Sequence, residues 1–128
     1  MKVVIIGGVA AGATAATRLR RLDERAEIVM LDKGPHVSFS NCSLPFRLSG
    51  TVEDTGKLVM MTPHAFAARY RIGARVNSEA VAIDRDSRTV RVRNLDDGTE
   101  YDESYDKLIL SPGARAIVPP IPGVDRAD

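Results

Sequence analysis

A single cysteine, Cys42, stands in the run SFSNCSLPF and is the only thiol in 128 residues. A thiolate is a nucleophile, and its availability depends on what lowers the thiol pKa. If a helix starts near Asn41, the sulfur sits at that helix's N-terminus, where the positive end of the dipole favours the thiolate. No second cysteine lies within a turn, since Ser43, Leu44, Pro45, Phe46 and Arg47 follow. An internal dithiol cycle is therefore excluded. Redox chemistry at Cys42 must pair it with a ligand thiol or pass through a sulfenic acid. The competing reading is a small buried hydrophobe, the common fate of a free cysteine.

A second chemical feature is GGVAAG over residues 7–12, directly after the apolar run KVVII. Against the pattern G-x-G-x-x-G, Gly7 is the first glycine and Gly12 the third, while Val9 takes the second place. Gly8, Ala10 and Ala11 fill the rest. Gly7 permits a tight turn out of a strand and Gly12 permits close helix–strand packing. Asp32, followed by Lys33, lies twenty residues beyond Gly12 at the end of the next apolar run. A carboxylate there meets a ribose hydroxyl, and pyrophosphate at the helix start gains free N–H groups and the dipole. The alternative is a turn that merely packs tightly, with Asp32 solvated. The pattern does not separate NAD from the adenosine end of FAD.

Thr14, Arg18 and Arg21 fall at i, i+4 and i+7 and so share one helical face. Two guanidiniums there suit phosphate groups. Otherwise they form a solvated face balanced by Asp23, Glu24 and Glu27. His36 and His64 have no partner pattern and read as ordinary loop and helix-start residues.

These side chains need elements to hold them. Lys2–Ile6 and Glu27–Leu31 are short, continuous and apolar, which predicts buried parallel strands. Residues 10–22 are rich in helix formers, with Ala11, Ala15, Leu19 and Leu22 as the expected apolar stripe. Together they make a βαβ unit with a right-handed crossover. A polar loop, Lys33 to Ser40, leads to NCSLPFRLSG, where Pro45 suits a first helical turn and Gly50 a helix end. Thr62 is expected to cap a helix over PHAFAARYR, and ARV near residue 75 to form a short strand. EAVAIDRD, SRTVRVRN and TEYDESY then alternate partially around turns at Asp84–Ser87 and Asp96–Gly98, predicting a three-stranded antiparallel meander. DKLIL is a third buried strand, ending at Ser111-Pro112-Gly113. The chain is thus α/β. Residues 1–115 are expected as the domain part and the Pro-rich 116–128 as a linker, so the chain reads as a piece of a longer protein.

Composition narrows the function classes. With 44% hydrophobic and 27% charged residues the chain is globular, and a formal charge of +1 recruits neither nucleic acid nor an anionic membrane. One cysteine and two histidines argue against a metal site. Three Tyr, three Phe and no Trp leave little for base stacking. No run approaches the ~18 apolar residues of a membrane span. Lys2, the run from Val3, and Ala13-Thr14-Ala15 loosely imitate a signal peptide, but Gly7 and Gly8 interrupt it and a charged amphipathic segment follows. A cytoplasmic location fits the lone free thiol better.

Four stretches, VVIIGGVAAGATAATRLRRLDE, IVMLDKG, SFSNCSLPF and ESYDKLILSPGA, resemble the pyridine nucleotide–disulfide oxidoreductases in order and across nearly the whole chain. The cysteine segment narrows the resemblance to the single-cysteine branch of CoA-disulfide reductases, NADH oxidases or peroxidases, and CoA-persulfide or polysulfide reductases. The resemblance implies a Rossmann-like FAD/NAD(P)-binding three-layer fold with a small antiparallel β-meander, incomplete as a domain in this chain. It implies FAD on Gly7, Gly8, Val9, Ala10, Ala11, Gly12, Asp32 and Lys33, with Val81 near the adenine and Ser111, Pro112 and Gly113 as a second flavin-contacting turn. It implies Cys42 as the redox thiol, forming a mixed disulfide with CoA, and Thr14, Arg18, Arg21, Ser38 and Asn41 as CoA contacts. NAD(P)H is the implied reductant and a homodimer the implied full-length state. This segment alone is not expected to turn over. The alternatives are an NADH oxidase or peroxidase cycling Cys42 through a sulfenic acid, and a dinucleotide-binding module without catalysis.

Overall fold

The computed structural model describes residues 1–115 and 117–124. In chain order the elements are β1 (Lys2–Ile6), α1 (Ala11–Leu22), β2 (Glu27–Leu31), α2 (Leu44–Leu48), α3 (Pro63–Tyr70), β3 (Ile72–Arg75), β4 (Ser78–Asp84), β5 (Thr89–Asn94), β6 (Glu100–Ser104) and β7 (Lys107–Leu110). Two 3-10 turns, Asn41–Ser43 and Thr55–Leu58, flank α2.

The four parallel strands lie in the order β3-β2-β1-β7, and β4-β5-β6 form a separate antiparallel sheet. Side chains alternate across a strand, so β1 serves both of its faces. Val3 and Ile5 point with Ile28, Met30 and Ile72 into one core, closed by Ala13, Ala16 and Phe66 of the helices. Val4 points with Val29 and Leu31 into the other, closed by Val90 and Val92 of β5. That is why KVVII is continuously apolar: helices cover one face and the meander covers the other. The result is the expected three-layer α/β arrangement.

Three expectations change. The stripe of α1 is rotated: Ala11 is exposed and Leu22 is 68% exposed, while Gly12, Ala13, Ala16 and Arg20 face inward with Leu19 beside them. The buried cation is tolerated because its guanidinium donates to four carbonyl oxygens, those of Tyr70, Arg71, Asp23 and Glu24. The third parallel strand starts at Ile72, earlier than ARV suggests. Arg71 ends α3 in the left-handed region at φ 51° and donates to the Ala67 and Phe66 carbonyls, so the chain enters the strand at once. The polar loop is also more ordered than its composition suggests: Phe39 bridges Val59, and Ser38 N donates to Gly8 O at 2.8 Å. That last bond ties the cysteine segment to the glycine turn.

The two sheets are locked by charge as well as apolar packing. Glu103 of β6 is buried and pairs with Lys2 at 2.5 Å and with Arg75. Residues 117–124 contain no strand or α-helix. Ala116 and residues 125–128 of the expected linker lie outside the described residues. Among the described residues no helix is long and apolar enough to cross a membrane.

Candidate active site

The C-terminal ends of β1, β2 and β7 converge on the glycine turn, at the point where the chain order of the sheet reverses. That is where open α/β sheets hold ligands. Gly7 has φ +95°, and a Cβ there would lie 2.0 Å from Ser111 O. A Cβ on Gly12 would lie 1.8 Å from Gly7 O, and one on Gly8 2.8 Å from Val37 Cγ1. The three glycines are therefore required by the chain's own packing, whatever binds beside them. Ser111 reinforces the turn, its hydroxyl donating to Ile6 O at 3.0 Å and Gly7 O at 2.9 Å.

The ligand argument rests instead on what the turn leaves open. Helix α1 begins without a side-chain cap and without an acidic residue in its first turn. Val9, Ala10 and Ala11 offer no competing acceptor, so the first-turn N–H groups face outward as donors for an anion. Asp32 is not a solvated tip. Its carboxylate accepts from Gly8 N at 2.7 Å and from Gly34 N at 2.8 Å, leaving lone pairs on both oxygens. Its backbone joins β3 to β4, with Asp32 N donating to Arg75 O and Ser78 N to Asp32 O.

Asp32 and Lys33 line a cleft of about 270 Å³ with Gly7, Val9 and Pro112. The meander closes it through Glu79 and Ala80. Val81 lies outside that wall. It is the residue passed over where the pairing shifts between Ala80 and Ala82, and it is 38% exposed. The bulge leaves Ala80 on the cleft wall and both Val81 and Ala82 exposed, a feature no alternation pattern reveals. Gly113 has φ +75° and open space around it.

On the other side of Val9 lies a second cavity of about 630 Å³ that contains Cys42. Val9 lines both cavities, so the glycine turn separates the Asp32 cleft from the thiol. Thr14, Ser38 and Asn41 reach this cavity, with Ala10 at its rim and Met61, Phe66 and Tyr70 adding apolar wall. Arg18 and Arg21 do not line it. Both are exposed on the outer face of α1, and Arg21 borders a separate groove with Arg69 and Arg71. Of the acids expected to balance them, Glu27 pairs with Lys2 at 3.3 Å and Asp23 accepts from Arg25 N, while Glu24 borders the same groove as Arg21.

Cys42 itself is exposed, which removes the buried-hydrophobe reading. It sits inside the 3-10 turn Asn41–Ser43, ahead of the five-residue α2. Its thiol is held below the ordinary value by the Ser40 hydroxyl first and by Ser43 second. Ser40 Oγ lies 3.3 Å from Sγ and 2.8 Å from Ser43 Oγ. The thiol does lie just ahead of a helix start, as expected, and local hydroxyls that the sequence expectation did not include add to its activation. Both serines stand in SFSNCSLPF, yet only the folded turn brings their oxygens to the sulfur.

The family model for pyridine nucleotide-disulphide oxidoreductases matches residues 1–128. Coenzyme A disulfide reductase of Staphylococcus aureus (strain JH9) is 43% identical over 115 residues, covering 90% of this chain and 26% of that protein. The structure of reduced Bacillus anthracis CoADR-RHD superposes with a TM-score of 0.92 at 44% identity, over 99% of this chain and 23% of that one. An NAD-dependent persulfide reductase from A. fulgidus superposes with a TM-score of 0.91 at 36% identity, over 98% of this chain and 23% of that one. The chain thus spans about a quarter of the length of these relatives.

Proposed function

The chain belongs to the pyridine nucleotide-disulphide oxidoreductase family, and on that premise we propose that it is the FAD-binding N-terminal part of an NAD(P)H-dependent reductase of CoA disulfide, CoA persulfide or polysulfide. The observation that carries this reading is the pair of cavities meeting at Val9, one holding Asp32 and the other an exposed, activated Cys42. A dinucleotide laid across the turn runs from the first to the second. The similarity to a coenzyme A disulfide reductase and a persulfide reductase supports the choice of acceptor.

The residues present fit FAD. Asp32 retains acceptor capacity for ribose hydroxyls, and the uncapped start of α1 offers donors to pyrophosphate. Gly7, Gly8 and Gly12 hold the turn that presents those donors, while Lys33 and Pro112 complete the cleft. Bound FAD would supply the electron pair that passes from NAD(P)H to the sulfur centre. Cys42 thiolate attacks one sulfur of the acceptor disulfide; a mixed disulfide forms and a CoA thiolate leaves. Thr14, Ser38 and Asn41 orient the CoA portion beside Cys42, and Arg18 and Arg21, on the same helix farther out, meet its phosphates.

Residues 1–115 act as the domain part and 116–128 as the connection to an NAD(P)H-binding domain. The full-length protein is a cytoplasmic homodimer. Titration with FAD, followed by desalting and visible absorption, tests the cofactor assignment. A retained flavin band, weakened in Asp32→Ala, is expected; a colourless protein would overturn the claim that this segment holds FAD.

A further inference from the structure

We propose that Ser40 and Ser43 are positioning residues that hold Cys42 in its thiolate form through a two-hydroxyl relay, Ser43 Oγ–H to Ser40 Oγ–H to Cys42 Sγ. The proposal rests on the reading of Cys42 as the reactive thiol and deepens it.

The geometry is set by the backbone rather than by the sulfur. Phe39 bridges Val59, Ser40 N donates to Leu58 O at 2.8 Å, and Ser43 N donates to Ser40 O at 3.1 Å. These bonds place Ser40 Oγ 2.8 Å from Ser43 Oγ and 3.3 Å from Sγ. A thiol can donate or accept in such a contact, but a thiolate only accepts. The contact is therefore stronger with the thiolate, and Ser43 polarises it further by donating to the same oxygen.

Among the described residues no charged side chain lines the cavity around Cys42: its wall contains no Asp, Glu, Lys, Arg or His, and its other titratable side chain is Tyr70 of α3. From α1 it receives Thr14 and Thr17, and from the segment before α3 it receives Met60 and Met61. The cation of α2, Arg47, donates to Thr55 Oγ1 at 3.2 Å, and His36 in the preceding loop stacks on Phe39. Among the described residues the two hydroxyls are the largest polar support for a thiolate in such surroundings, and the Cys42 backbone adds a smaller one. The same support serves the second half of a thiol–disulfide cycle, because a more acidic thiol is the better leaving group when the mixed disulfide is broken.

The test is the pH dependence of iodoacetamide alkylation, measured on this chain and its variants. Alkylation forms the Sγ–C bond as iodide leaves. The thiol proton goes to solvent, and both serine protons stay on their oxygens. Ser40→Ala is expected to move the midpoint of the rate profile to higher pH, to slow alkylation severalfold at neutral pH, and to leave the high-pH plateau at least as fast. Ser43→Ala shifts the midpoint less, and Ser40→Thr restores it. A midpoint unchanged in Ser40→Ala would overturn the proposal, as would a lowered plateau alone, which reports a steric effect. A midpoint raised in Ser40→Ala and not restored by Ser40→Thr would overturn it too. Iodoacetamide senses only the thiolate, so this outcome is separate from whether Cys42 forms an adduct with CoA disulfide.

Discussion

Replacing Arg20 by Met should destabilise the chain by about 3–4 kcal/mol, comparable with breaking a buried ion pair by removing one partner. Arg20 is 8% exposed and forms no ion pair among the described residues. It donates from Nε to Tyr70 O at 2.7 Å and from Nη2 to Arg71 O at 2.9 Å. From Nη1 it reaches Glu24 O at 2.7 Å and Asp23 O at 3.2 Å. The C-terminal ends of α1 and α3 thus converge on one cation, each presenting its negative dipole end. Bonds to a charged donor contribute about 1.5–3 kcal/mol each, so four would sum to far more than the expected loss. Arg20 also borders two surface grooves, where water can replace part of what is lost. Met fills the space of the stem but leaves the carbonyls without their donor. Lys keeps the charge and lacks the planar fork, so Arg20→Lys should lose about half as much. Urea unfolding reads this as a lower midpoint with an unchanged slope. A change under about 0.5 kcal/mol in Arg20→Met, or an Arg20→Lys variant as stable as the parent, would refute the clip.

Phe66→Ala should cost about 3–5 kcal/mol in the same assay, because Phe66 is fully buried between α3 and the sheet and also walls the Cys42 cavity. Gly12→Ala should lose FAD retention after desalting, since the added Cβ meets the Gly7 carbonyl and must displace the turn; retention equal to the parent's would count against that geometry. For Glu103, burial alone would raise its pKa, but hydrogen bonds and charge from Lys2 and Arg75 outweigh burial and hold the carboxyl below its ordinary value. A depressed folded pKa contributes stability above the unfolded value, lost as pH falls below about 4. Glu103→Gln should therefore be less stable at neutral pH and should flatten the acid limb of the stability profile measured by urea.

Much of the fold was legible because its signals are local. A run such as KVVII must be covered on both sides, and the turns at Asp84 and Asp97 carry their own side-chain bonds to Ser87 and Thr99. The glycine spacing located the turn because close backbone approach admits nothing larger at Gly7 and Gly12. What stayed hidden depends on partners distant in the chain. Arg20 reads as a surface charge until α3 brings two carbonyls to it from fifty residues away. Val81 alternates correctly but sits on a bulge. Phe66 and Tyr70 read as an ordinary helix, and only its packing against α1 makes them walls of the thiol cavity. The cysteine was legible as chemistry. The direction of its activation was legible too, but the hydroxyl source was not, since Ser40 is placed by the Phe39–Val59 bridge.

The most direct test of the proposed function is the intact mass of this chain after exposure to CoA disulfide, set beside Cys42→Ser and beside glutathione disulfide as competitor. The expected result is one CoA adduct on the parent, removed by a thiol reductant and absent from Cys42→Ser. It should form faster than the glutathione adduct, because Thr14, Ser38 and Asn41 share the cavity with the sulfur. No adduct, or equal rates with the two disulfides, would contradict a CoA-directed thiol at this site.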